Sequence, residues 1–123
     1  MTKRVVLVVD DDPLFHMLMQ RIFSSFDLQL ASAVSVEDGL RQAQELKPVL
    51  IIMDVYLPGG DGWQTALRIK NELEQVHIVV MSAGGTVVDT TKIAEFKCSG
   101  FFKKPFNVSA FVAFIKPLLE ETA

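Results

Sequence analysis

Five short, mostly apolar runs punctuate the chain: Val5–Val9, Gln29–Ala33, Val49–Met53, Ile78–Met81 and Gly100–Lys103. Each is too short for a typical helix, and the stretches between them place apolar residues at helical spacing. The pattern therefore predicts strands alternating with helices. Strands that are apolar along their length are buried on both faces, which calls for helices above and below a parallel sheet. The expected fold class is α/β, a single-domain doubly wound parallel sheet of five strands spanning residues 1–123.

The helices can be placed more closely. Phe15, Leu18, Met19, Ile22 and Phe26 stand at i, i+3, i+4, i+7 and i+11, one face of a helix after the first strand. Phe111, Phe114, Ile115 and Leu118 repeat that spacing in the last helix. Both stripes read as core. Asp12-Pro13 has the form of an N-cap followed by proline at the first helical position, Ser35 with Asp38 approximates a capping box, and Asn107 can cap the last helix. Pro117 lacks the N–H that a helix interior needs, so the last helix is expected to kink or end there, leaving the chain from Leu118 bent or frayed.

With 123 residues, half of them apolar, there is enough chain for one compact domain with a core and no room for a second. Twelve Lys+Arg against 15 Asp+Glu leave a net charge of −3, without the basic excess of a nucleic-acid footprint, so no direct nucleic-acid partner is expected. No apolar run approaches the ~20 residues of a membrane span. Met1-Thr2-Lys3-Arg4 leads into the first strand with no cleavage region, and Cys98 has no second cysteine to pair with. These features point to a soluble, cytoplasmic chain.

In an open parallel sheet, sites form beyond the carboxyl ends of the strands. Asp10, Asp11 and Asp12 follow the first strand, Asp54 the third, Ser82 the fourth and Lys104 the fifth. Carboxylates gathered at one edge repel one another unless a cation neutralises them. A hard divalent ion such as Mg2+ suits a shallow acidic rim, because it keeps several waters and takes few carboxylates. A carboxylate can also attack phosphorus to give an acyl phosphate, with the arriving charge held by the metal, a cation and a hydrogen-bond donor. Lys104 supplies the cation and Ser82 the donor. Asp54 after five apolar residues has no structural excuse, whereas Asp12 is accounted for as a cap.

Together, Val8-Val9-Asp10-Asp11, Ile52-Met53-Asp54 with Leu57-Pro58 and Asp61-Gly62, Met81-Ser82-Ala83, and Lys104-Pro105-Phe106 resemble the response-regulator receiver family, CheY-like and flavodoxin-like in fold. The resemblance covers the whole chain. It implies strand order 2-1-3-4-5, Asp54 as the phosphorylation site, and Mg2+ held by Asp10, Asp11, Asp54 and the Tyr56 backbone carbonyl. It also implies Ser82 as the switch hydroxyl, Lys104 as the phosphate-binding lysine, Phe101 as the switch aromatic, and a cis Lys104-Pro105 bond. Implied partners are a sensor histidine kinase or histidine phosphotransfer protein and a downstream effector protein, with a phosphorylation-linked homodimer left open. The chain would carry no output domain and would assist its own phosphorylation and dephosphorylation without being a conventional enzyme. In the family, the positions of Tyr56 and Gly84 tune water access to the acyl phosphate, and Tyr56 is expected to shield it in part.

The departures and the rivals are specific. Gly60 stands where receivers often carry methionine; Pro58-Gly59 can form a type II turn and Asp61 can cap the following helix. His16 and His77 lack partners at metal spacing and read as surface or edge residues, Cys98 as a small, partly buried side chain, and Glu120-Glu121 as a solvated tail. Asp10-x-Asp12 also looks like the nucleophile motif of haloacid-dehalogenase phosphatases, but that reading leaves Asp54 unexplained. A receiver-shaped module that no longer takes phosphate is the other alternative.

Overall fold

The computed structural model of the chain describes residues 3–83 and 91–120. In chain order these form β1 (Val5–Val9), α1 (Pro13–Phe23), β2 (Gln29–Ala33), α2 (Val36–Leu46), β3 (Leu50–Asp54), β4 (Tyr56–Leu57) and β5 (Gly60–Asp61). There follow α3 (Gly62–Glu72), β6 (His77–Ala83), α4 (Thr91–Glu95), β7 (Gly100–Lys104) and α5 (Val108–Glu120). The main sheet is parallel throughout, in the order β2-β1-β3-β6-β7. That is the expected order 2-1-3-4-5 once the small antiparallel hairpin β4–β5 is set aside.

Alternation along the central strands builds two cores. Val6 and Val8, Leu50 and Ile52, Val79 and Met81 face Phe15, Met19 and Phe23 of α1 and Phe111, Ile115 and Leu119 of α5. Leu7 and Val9, Ile51 and Met53, Ile78 and Val80 face Ala43 of α2 and Trp63, Ala66 and Ile69 of α3. Complete burial of such side chains is worth ~1.5–3 kcal/mol each, which fixes the register that lines up the strand ends. No described helix is long and apolar enough to cross a membrane.

Several elements differ from the sequence expectation. β3, β6 and β7 run one or two residues further, so Asp54 and Lys104 are the last residues of their strands, Ser82 is the last but one of β6, and none is a loop residue. Pairing continues through Asp54 with Met81 and through Ala83 with Lys104, and that ladder extends the strands. α1 closes at Phe23, where the Ser24 N–H bonds the Arg21 carbonyl, and Phe26 packs beside Phe23 from the following turn. Within α1 the inward row is Phe15, Met19 and Phe23, and Leu18 is 36% exposed. In α5, Leu119 is the buried residue beside a half-buried Leu118, and Phe114, 37% exposed, lays its ring against Gly100 and Phe102.

Pro117 does not end α5, which runs to Glu120. Burial of Ile115 and Leu119 on the sheet and the Arg4 guanidinium bonded to the Leu119 carbonyl hold the last turn in place. The expected caps are present: Asp12 accepts from Leu14, Ser35 from Asp38, Asp61 from Trp63 and Asn107 from Ala110. Pro58-Gly59 turns the β4–β5 hairpin, with Gly59 at φ +91° as the third position of a type II turn requires. Glu121 of the expected acidic tail lies outside the described residues.

Candidate functional site

β1, β3, β6 and β7 end together, and their register carries Asp10, Asp54, Ser82 and Lys104 to one edge of the sheet. Asp10 is fully buried; its Oδ1 accepts the Asp12 N–H at 2.9 Å and its Oδ2 accepts Lys104 Nζ at 2.5 Å. Asp54 Oδ1 accepts the Tyr56 N–H at 2.9 Å, and its Oδ2 accepts Lys104 Nζ at 3.3 Å. The chain after Asp54 is pinned by Val55 N–H on the Met81 carbonyl and by Gly62 N–H on the Val55 carbonyl. With the β3–β6 ladder holding the residues before it, the backbone is fixed on both sides of Asp54.

One carboxylate oxygen each from Asp10, Asp11 and Asp54 lie within 4.8 Å of one another. Asp10 is buried beneath them and Asp11 is exposed above, so the group opens to solvent on one side. An all-oxygen, half-open donor set of this kind fits a hard divalent cation that keeps part of its water shell. Nitrogen and sulfur donors are absent from it, which argues against zinc chemistry.

The charges already feel one another. Burial pushes the Asp54 carboxyl above its ordinary range, and the negative Asp10 adds to this. The Tyr56 N–H and the Lys104 ammonium pull the other way. Burial would lower the Lys104 ammonium, but its hydrogen bond to Asp10 and the charges of Asp10 and Asp54 outweigh that and raise it. The pocket is short of positive charge in this state, and Lys104 is shared between two acids.

The remaining expected residues fall nearby in different states. Ser82 is 2% exposed, and its hydroxyl donates to the Ala83 carbonyl at 3.3 Å instead of pointing at a carboxylate. Phe101 is half-buried and stacks on Trp63, with centroids 6.0 Å apart and planes 9° from parallel. Tyr56 is 61% exposed beside Asp54. The Lys104-Pro105 bond is cis. Asp12 acts as the α1 cap and is not one of the three carboxylates grouped at the strand ends. Gly84 lies outside the described residues.

Three neighbours were not legible as site residues. Phe15 places its ring 4.1 Å from Lys104 Nζ, centroid to nitrogen. Trp63 backs Phe101. His16, expected at the surface, is half-buried: its Nε2 lies 2.7 Å from the Asp10 carbonyl oxygen, so Nε2 must carry the proton, and its buried Nδ1 has no partner among the described residues. His77 is likewise half-buried, with Nδ1 2.9 Å from the Ser99 hydroxyl. Cys98 is partly buried as expected, and burial raises its thiol to about 11 despite the opposing charge of Lys70.

Comparison with known proteins gives one consistent result. Residues 6–116 match the response regulator receiver domain family. The chain is similar to the transcriptional regulatory protein PrrA of Mycobacterium tuberculosis, 32% identical over 93% of this chain and 49% of that protein. It is also similar to the transcriptional regulatory protein AfsQ1 of Streptomyces coelicolor, 29% identical over 93% of this chain and 50% of that protein. The chain thus spans about half the length of the curated relatives it matches. Among solved structures it resembles a CheY-like response regulator receiver domain protein from Methanospirillum hungatei, at TM-score 0.87 and 18% identity over 98% of this chain and 96% of that one.

Proposed function

This chain belongs to the response regulator receiver domain family of two-component signalling, and from that premise we propose that Asp54 accepts a phosphoryl group from a phosphohistidine donor. The observation that carries the proposal is Lys104 bridging Asp10 and Asp54 at the mouth of an oxygen-only acidic pocket. Membership of the receiver family also sets aside the dehalogenase reading.

An Asp54 carboxylate oxygen attacks phosphorus as the donor's N–P bond breaks, and the leaving imidazole takes up a proton. Asp10, Asp11, Asp54 and the Tyr56 carbonyl would hold Mg2+, which when bound supplies positive charge for the transferring oxygens. Lys104, released in part from Asp10, turns its remaining N–H donors to the phosphoryl group. Ser82 exchanges the Ala83 carbonyl for a phosphoryl oxygen by rotation of its hydroxyl, since Ser82 is already buried beside the strand end. The space it leaves alters the packing of Phe101 against Trp63. Phe101 has no hydroxyl, so its signal is one of packing alone.

The partners that follow are a sensor histidine kinase or a histidine phosphotransfer protein upstream and an effector protein downstream, with homodimerisation on phosphorylation as one form of output. The names of the longer relatives extend the proposal to transcription as the final readout, through a segment outside the receiver. The chain acts in a cytoplasmic signalling step and assists its own phosphorylation and dephosphorylation. Intact mass after incubation with acetyl phosphate tests the reading: a gain of one phosphoryl group only with Mg2+ is expected. A native chain that gains nothing would leave the receiver-shaped interaction module as the better account.

A further inference from the structure

Lys104 is held from three sides: by Asp10 Oδ2 at 2.5 Å, by Asp54 Oδ2 at 3.3 Å and by the face of Phe15 at 4.1 Å. Two of those holders are the same carboxylates that offer oxygens to a divalent cation. When the pocket is loaded, Asp10 and Asp54 direct their charge elsewhere, and the lysine loses much of what fixes it. The ring is the one holder that a metal does not compete for. Phe15 is itself buried on the inner row of α1, just after the Asp12–Pro13 helix start, and meets Phe106 edge-on at 6.3 Å. Phe106 in turn lies two residues after Lys104 in the chain, so the ring that packs on Phe15 and the lysine belong to one local segment.

We propose that Phe15 is a positioning residue for phosphotransfer: its ring face holds the Lys104 ammonium over the acidic pocket when the carboxylates are committed to metal and phosphate. The inference rests on the reading of Lys104 as the phosphate-binding cation. An ammonium over an aromatic face is drawn by the ring's negative quadrupole, and the attraction grows when water is partly excluded. Lys104 is about one-fifth exposed, so it sits in that partly desolvated regime. An aliphatic side chain of similar size would fill the same volume and leave the ammonium without this hold.

The test separates the ring's charge distribution from its bulk. Mono-, di- and trifluorophenylalanine placed at residue 15 of the full chain weaken the negative ring face with little change in shape, and the same series at Phe23, which packs on Phe26 and Phe111, serves as control. The second-order rate constant for phosphorylation by acetyl phosphate with Mg2+ should fall stepwise at position 15, by about three- to thirtyfold at the trifluoro ring, and stay level at position 23. A flat series at position 15 in a chain that does take phosphate overturns the inference. A second readout does not depend on phosphorylation. The Lys104 ε-methylene protons should be shifted upfield by the Phe15 ring, remain so in saturating Mg2+, and lose the shift in Phe15→Leu. Loss of the shift on adding Mg2+ to the native chain overturns the inference even if the chain is never phosphorylated, and absence of phosphorylation alone counts only against the proposed function.

Discussion

Gly62→Ala should be harmful although it inserts a better helix former at the first residue of α3. A Cβ on Gly62 would stand 2.2 Å from the Asp54 carbonyl oxygen, 2.7 Å from the Val55 Cα and 2.9 Å from the Val55 carbonyl oxygen. All three are backbone atoms at a strand end buried between two helical layers, so none can swing aside. Non-bonded contacts to carbon settle near ~3.5–4.0 Å, so the chain must part by about 1 Å. The gain from replacing glycine in a helix is at most ~1 kcal/mol. Overpacking costs ~1–3 kcal/mol where side chains can adjust, and more where only backbone can. The net expectation is a loss of about 2 kcal/mol or more in urea unfolding. The displaced segment also carries the Asp54 carboxylate, and a shift of that size can slow phosphorylation by ~10–100-fold. Gly60→Ala is the internal control, since among the described residues its Cβ would meet only Val36 Cγ2 at 3.4 Å, and it should lie within about 0.5 kcal/mol of the native chain. Stabilisation by Gly62→Ala with native phosphorylation kinetics would refute the close-approach reasoning.

Three further outcomes follow from the site and its surroundings. Burial raises the Asp54 carboxyl above its ordinary 3.8, so the folded chain binds that proton more tightly than the unfolded chain, and unfolding free energy drops as pH rises through the interval above 3.8. Without Mg2+, Asp54→Asn should therefore match the native chain in urea at about pH 3 and exceed it at about pH 7; a native chain more stable than the variant at neutral pH contradicts this. If the exposed Tyr56 side chain screens the acyl phosphate from water, Tyr56→Ala should hasten its loss by about two- to tenfold, followed by mass spectrometry after donor removal; an unchanged rate removes Tyr56 from the mechanism. With its thiol at about 11, Cys98 should react with a disulfide reagent at about pH 8 roughly a hundredfold more slowly than free cysteine, and a rate like that of free cysteine would show that the burial is not maintained.

Much of this arrangement was written into local pattern. Val5–Val9 is apolar at every position and then meets three acids, which states both a doubly covered strand and a charged strand end. The caps were legible because each rests on residues two or three apart. The β4–β5 hairpin was not, because two-residue strands have no period to detect; only its Pro58-Gly59 turn carried a signal. Periodicity also put Leu18 inside and left Phe23 out, whereas the buried row of α1 runs through Phe15, Met19 and Phe23 at intervals of four. Asp54, Ser82 and Lys104 could be named from their strands, but Phe15 beneath Lys104, Trp63 behind Phe101 and His16 on the Asp10 carbonyl are meetings of distant segments with no local spacing to announce them. Pro117 shows the reverse: the local rule was sound, and burial of Leu119 with the Arg4 contact outweighed it.

The central claim is that the phosphoryl group forms an acyl phosphate on Asp54, and chemical trapping addresses it most directly. The native chain would be phosphorylated with acetyl phosphate and Mg2+, reduced with borohydride, digested and sequenced by mass spectrometry. Reduction of an acyl phosphate converts aspartate to homoserine, and the account predicts that conversion at residue 54 and nowhere else. Homoserine at Asp10 or Asp11, or phosphate that survives borohydride on Ser82 or a histidine, would contradict it.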